Sequence, residues 1–168
     1  RQGASRRWIM EAVEESLTRL KTDYIDLYQP HVLDAAVPRE ETLRALDDLV
    51  RSGKVRAIGE AATFAKAEDL VASLEVQQAH GLTPFVSMEA HYNLLVRDAE
   101  RTIIPELRRR RMSLLPYFPL ANGLLTGKYR RESAAPAGSR YEKIPALKGF
   151  LDPDRHWPSV EALRQIAV

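Results

Sequence analysis

At 168 residues, 45% hydrophobic and 29% charged, the chain has the composition of one ordinary globular domain, and no apolar stretch approaches the roughly 20 residues of a membrane-spanning helix. A net charge of +2 does not point to nucleic acid or a membrane as partner, and the absence of cysteine excludes disulfides, thiolate chemistry and Cys-based zinc sites, fitting a reducing cytoplasm. Arg1 follows no initiator Met or signal pattern, and Val168 falls inside the helically spaced "SVEALRQIAV", so both ends read as cut from something longer.

Ser5 is placed to cap a helix with apolar Trp8, Ile9, Val13, Leu17 and Leu20, and a strand from Tyr24 to Gln29 follows and runs into Pro30 and His31. "REETLRALDDLVRSG", residues 39–53, puts Leu43, Leu46, Leu49 and Val50 on one helix face and offers Gly53 as a left-handed cap. A strand at 55–59 comes next. The pattern then recurs: a helix from about Lys66 to His80 stopped by Gly81, a strand at 84–89, a helix from about Asp98 to Arg110 and a strand at 113–118. The arginine run from Arg108 to Arg111 ends that last helix, where cations complement the helix dipole, and reads as a solvated face.

Four strands beginning about 30 residues apart, each trailed by a helix, have the length of βαβ units and predict an α/β chain with a parallel sheet. No G-x-G-x-x-G turn follows any strand, as a doubly wound sheet that binds a dinucleotide would need. Polar or ionisable groups instead sit where strands end: His31, Glu60, Glu89 and His91. That favours a (β/α)8 TIM barrel, whose chemistry is done at this rim; four βα units are half of one, so the fold class is a partial barrel. Residues 119–158, rich in Pro, Gly, Ala and Ser, read as one long loop. Its first part, "LANGLLTGKY", has Gly123 and Gly127 suited to bringing backbone amides to an anion, and "RRESAAPAGSRYEK" has the composition of a mobile flap.

The segments "SLTRLKTDYIDLYQPH", "VPREETLRALDDLVRSGKVRAIG", "HYNLL" and "LLPYFPLANGLLTGKY" resemble the aldo-keto reductases, specifically the bacterial members close to potassium-channel β subunits. The similarity runs in family order and spacing from about Ala4 to at least Arg140, as a single domain over residues 1–168 that is incomplete at both ends. It implies a barrel that reduces an aldehyde or ketone with NADP(H), of which the visible strands are the fourth to the seventh. By the same resemblance His31 is the neutral ring that holds and polarises the substrate carbonyl beside a tyrosine acid. Tyr117 matches the aromatic residue that stacks on the nicotinamide. Phe118, Leu120, Asn122 and Gly123 fall to the cofactor with it, the pyrophosphate held by Leu120, Asn122 and neighbouring amides, and residues 119–158 cover the cofactor.

Other positions depart from the family pattern. Where most relatives have Gly-x-Ser-Asn-Phe, this chain has the longer "GEAATF", in which Ala61 and Ala62 offer the carboxamide nothing and Thr63 is the substitute. Glu89 stands where relatives have glutamine, and an ionised carboxylate accepts but cannot donate. Asp23 matches a structural position and is expected to be a strand-start hydrogen-bond partner. The acid tyrosine of the family, with its lysine and aspartate, belongs to the first three strands, and the residues for the adenosine 2′-phosphate follow the eighth; none is in this chain. The 168-residue chain is therefore expected to be inactive alone and to self-associate through open sheet edges. The alternative reading, motivated by Ala61, Ala62 and Glu89, is a catalytically silent barrel relative that binds dinucleotide or a partner protein.

Overall fold

The computed structural model describes residues 3–61, 67–131, 133–150 and 153–166. Helix α1 (Arg6–Leu20) starts at Ser5, whose Oγ accepts from the Trp8 N–H at 3.3 Å, while Glu41 accepts from the Arg6 N–H at 2.9 Å. Two of the amides a helix start leaves without partners are thereby satisfied. Ile9, Val13 and Leu17 are buried, but Leu20 is 63% exposed, so the buried stripe is narrower than the apolar spacing suggests.

Strand β1 (Ile25–Tyr28) is one residue shorter at each end than its apolar run. Thr22, rather than Asp23, ties its start: Thr22 Oγ1 donates to the Tyr24 carbonyl (3.2 Å) and accepts from the Tyr24 N–H (3.5 Å). Helix α2 (Arg39–Arg51) buries Leu43, Leu46 and Leu49 and packs on α1 and on the next strand; each leucine contributes about 2 kcal/mol by burial. The backbone turns at Gly53 in the left-handed region (φ 77°), as the sequence implied.

Strand β2 (Val55–Ala61) runs two residues further than expected, and helix α3 (Ala67–Ala79) follows. Strand β3 covers Ser87–His91 instead of 84–89. The reason lies in the amides before it. Thr83 N–H is taken by Asp47 (2.8 Å), Pro84 has none, and Phe85 N–H is taken by the Gln77 side chain (3.3 Å), so ladder bonding begins only with Val86 N–H to the Ile58 carbonyl (2.9 Å). The helix expected over 98–110 is divided into a 3₁₀ turn (Asp98–Glu100) and α4 (Ile103–Arg110). Pro105 lacks the N–H that would bond the residue 101 carbonyl and is tolerated only in a helix's first turn. Strand β4 (Ser113–Tyr117) ends one residue early, because Phe118 turns left-handed (φ 52°).

The strands form one sheet in the order β1-β2-β3-β4. Ile25 pairs with Val55 and Leu27 with Ala57 in parallel register, as do Gly59 with Ser87 and Ala61 with Glu89. Ser113 N–H to the Val86 carbonyl (2.9 Å) joins β4. Four consecutive βα units are half of those that close a (β/α)8 barrel.

By packing, the chain divides into two compact units, Arg1–Ala90 with Ala99–Leu115, and His91–Asp98 with Pro116–Val168. The first is built around Leu43, Leu46, Ile58, Leu70 and Met88. The second has its own apolar cluster of Ala121, Leu124, Tyr129, Tyr141, Trp157 and Val160. It contains the stretch that composition marks as a loop, yet that stretch holds 3₁₀ turns at Ala121–Thr126 and Pro145–Phe150, helix α5 (Arg140–Lys143) and the start of α6 (Pro153–Ile166), which continues through Pro158. In the expected flap, Ser139 caps α5, and buried Tyr141 stacks on Tyr129 (4.5 Å) and donates to the Ala121 carbonyl (3.2 Å). These aromatics are widely spaced among small residues, which conceals them from a reading by composition.

Candidate active site

In the first unit, the Pro30 carbonyl accepts from the Ala61 N–H (3.2 Å) and so carries the β1–β2 ladder just past the last strand residue. His31 comes next, exposed, at the C-terminal end of β1. It borders a cavity of about 640 Å³ with Trp8, Tyr28, Gln29, Val32 and Asp34. Glu89 lies within β3 opposite Ala61, half-buried rather than beyond the strand. Thr63 lies outside the described residues.

Glu60 is not a rim residue. Side chains alternate along a strand, and Gly59 lies beneath Gln29 and Ser87, so Glu60 faces the other way, into the layer of Arg39, Asp69 and Ser73. It is 1% exposed and neither carboxylate oxygen has a hydrogen-bond partner among the described residues. Ser73 is committed elsewhere, donating to the Asp69 carbonyl (3.1 Å) and accepting from Arg39 (2.6 Å). Burial pushes the Glu60 carboxyl up to about 7, against the pull of the Arg39 charge.

In the second unit the structure brings Tyr117, Phe118, Leu120, Asn122 and Gly123 into one turn. Phe118, Ala121, Asn122 and Gly123 all have positive φ (52°, 50°, 56° and 96°). For a residue other than glycine each such conformation costs on the order of 1–2 kcal/mol, and Gly123 is further restricted because a Cβ would lie 3.2 Å from Lys128 Cε. Several amides expected to face an anion are already used: those of Ala121 and Gly123 bond the Phe118 and Leu120 carbonyls (both 2.8 Å), and Leu125 N–H also bonds Leu120 (3.3 Å). The Asn122 side chain is different. It is 5% exposed, and both its Oδ1 and its Nδ2 lack a partner among the described residues. A buried amide in that state carries a desolvation penalty that a bound ligand or water would relieve. Leu120 projects outward and is exposed.

Tyr117 also belongs to an aromatic cluster. His91 stacks on it (5.1 Å between centroids, 18° between planes), and Phe118 lies edge-on to both. Asn93 Nδ2 donates to the Phe118 carbonyl (3.0 Å) and lies 3.3 Å from His91 Nε2. Asn93 was not singled out from the sequence; the signal that could have found it is an Asn in the turn just past a strand, the residue type that ties its own turn.

The sequence profile of the Aldo/keto reductase family matches residues 1–167. The chain belongs to the aldo/keto reductase family. This aldo/keto reductase chain is 42% identical to aldo-keto reductase dtxS3 of Metarhizium robertsii over 146 residues, 83% of the chain and 39% of that relative. It is 41% identical to the versiconal hemiacetal acetate reductase of Aspergillus parasiticus (79% and 38% covered) and 39% identical to aldo-keto reductase YhdN of Bacillus subtilis (77% and 37%). In three dimensions it resembles the glycerol dehydrogenase AKR11B4 of Gluconobacter oxydans, with a TM-score of 0.71 and 29% identity over 88% of this chain and 42% of that one. The chain thus spans less than half the length of these relatives. Family members are oxidoreductases that generally use a nicotinamide cofactor and act on small carbonyl compounds. Tyr117 and Asn122 fit such a cofactor in kind: a planar ring to pack on, and a buried donor and acceptor without partners.

Proposed function

We propose that the protein is an NADP(H)-dependent carbonyl reductase of the cytoplasm, acting on an aldehyde or ketone. The observation that carries this reading is the buried, unpartnered Asn122 amide in the left-handed turn that follows Tyr117. Tyr117 packs on the nicotinamide, with Phe118 fixing the strand end behind it. Asn122 hydrogen-bonds the pyrophosphate, Gly123 allows its approach, and Leu120 with the rest of residues 119–158 covers the cofactor. Glu89 and Thr63 take the carboxamide. When bound, the dihydronicotinamide supplies the hydride that reduces the carbonyl carbon. His31 donates a ring N–H to the carbonyl oxygen, orienting it and favouring the negative charge that develops there. By the family resemblance the proton comes from a tyrosine acid beside the carbonyl oxygen.

In the full-length protein, Asn122→Ala is expected to raise the Kd for NADPH, read by fluorescence titration, at least tenfold, and His31→Ala to lower kcat/KM for 4-nitrobenzaldehyde more than tenfold. Unchanged cofactor affinity in the first variant removes Asn122 from the cofactor site, and unchanged kcat/KM in the second removes His31 from the chemistry. A second reading, a silent relative that binds dinucleotide or a partner protein, is favoured by Glu89 at a position where an ionised carboxylate cannot donate to the carboxamide oxygen. NADPH binding without reduction of any of a panel of aldehydes and ketones is the outcome that selects it.

A further inference from the structure

We propose that His91 is a positioning residue for Tyr117: held by Asn93, its ring sets the plane of the tyrosine ring at the end of β4. The inference rests on the reading of Tyr117 as the residue that packs on the nicotinamide, and it adds a second residue through which cofactor affinity is controlled.

His91 and Tyr117 are the last residues of β3 and β4. Their rings lie nearly parallel at 5.1 Å, and Phe118 closes the cluster edge-on, 5.5 Å from His91 and 5.3 Å from Tyr117. A tyrosine in such a cluster has little freedom in its second side-chain torsion, and each ring pair of this kind contributes beyond the area it buries. What holds His91 is Asn93. Its Oδ1 accepts from the N–H groups of Leu95 (2.9 Å) and Val96 (3.0 Å), and its Nδ2 donates to the Phe118 carbonyl (3.0 Å). Those three bonds determine which end of the amide is which, since a flipped amide would set Nδ2 against two N–H donors and Oδ1 against a carbonyl. The remaining Nδ2 hydrogen faces His91 Nε2 at 3.3 Å. Nε2 must therefore accept, which requires a neutral imidazole with its proton on Nδ1.

This arrangement makes the stack sensitive to protonation. A second proton on the ring would set an Nε2–H donor against the Asn93 donor and release the anchor. Burial keeps the ring neutral at ordinary pH, holding its pKa below the usual histidine value. Among the described residues, the groups seen near the cluster are Tyr117 itself, the Arg140 guanidinium from α5 over the Phe118 ring at 5.6 Å, and Arg97 over the neighbouring Tyr92 ring at 5.4 Å. No carboxylate is among these groups, so nothing in them favours the imidazolium.

The test uses the full-length protein with NADPH as probe, and nitrogen NMR of its histidines without cofactor. His91 is expected as the Nδ1–H tautomer; the Nε2–H tautomer overturns the proposal without reference to cofactor or activity. His91→Ala should raise the Kd for NADPH about tenfold at pH 7.5, and His91→Phe, which keeps a ring on Tyr117, should restore most of it. Affinity of the parent should fall as pH drops through the lowered pKa of His91, whereas His91→Phe should show no such fall beyond that of the cofactor's own titration. Tyr117→Ala separates the two levels. If it leaves affinity unchanged, the reading of Tyr117 fails; if it weakens binding while His91→Ala matches the parent, the positioning role fails. Should His91→Ala not fold, the tautomer and the pH profile of His91→Phe decide.

Discussion

Glu60 brings into the interior of the first unit a carboxyl group with no hydrogen-bond partner among the described residues, and burial makes its charged form costly. Its pKa is about 7 in the folded chain against the ordinary 4.5, so the folded state holds the proton more tightly than the unfolded one. Stability from this group is complete below pH 4.5, is lost as pH rises toward 7, and stays lost above it. The difference amounts to about 3 kcal/mol. Glu60→Gln is therefore expected to raise the urea midpoint at pH 8 and to leave it nearly unchanged at pH 4.5; equal effects at both would mean that the carboxyl does not titrate in this window. Asp47 is the opposite case. Burial pushes its carboxyl up, but hydrogen bonds from the Thr83 hydroxyl and N–H and from Arg51 outweigh that and hold it below the usual value. Its contribution is present above the ordinary pKa of 3.8 and is lost as pH falls through the depressed one. Both residues are buried acids, and the number of donors aimed at them decides the sign.

Elements in this chain are placed by a few such contacts between them. Gly59 in β2 has ordinary backbone, and its lack of a side chain matters for space: a Cβ would overlap Ser87 Oγ and come within 2.9 Å of Gln29 Nε2 and 3.0 Å of the Ser87 carbonyl. Gly59→Ala is expected to cost about 1–3 kcal/mol, measured as a lower urea midpoint with unchanged slope, because Ser87 of β3 and the Gln29 side chain must shift to admit it. An unchanged midpoint would show that Gln29 and Ser87 yield freely. The helices were legible from apolar spacing and caps, as Ser5 and Gly53 illustrate. Strand ends shift by a residue or two, and the larger shifts have identifiable causes. β3 begins late because Asp47 and Gln77, from two helices, take amides that the local sequence leaves to the strand. The helix over 98–110 is broken by Pro105, whose effect on the first turn of a helix is local and carried by the sequence itself.

At the scale of the whole molecule, four parallel strands leave β1 and β4 at the edges of the sheet among the described residues. Unpaired strand edges are templates for pairing with another copy. The isolated 168-residue chain is expected to sediment above monomer mass and to shift further with concentration, while a monodisperse, cooperatively unfolding monomer would overturn this. Of the candidate site, family motifs read from the sequence nominate His31, Tyr117 and the turn through Asn122 and Gly123. They did not reveal that the turn's own carbonyls consume the amides of Ala121 and Gly123, which leaves the Asn122 side chain as the group without partners.

By itself, the sequence determined the succession of strands and helices, the parallel sheet and the family, because apolar periodicity, caps and glycine stops are local and family motifs are read in order along the chain. Only the tertiary structure decided that Glu60 faces the helices, that His91 stacks on Tyr117 under the hold of Asn93, and that residues after Pro119 have an apolar cluster of their own. Burial and hydrogen-bond partnership are properties of pairs, and the deciding partners stand far apart in the chain, Tyr117 across from His91 and Phe118 25 positions from Asn93, too far for any local pattern to record.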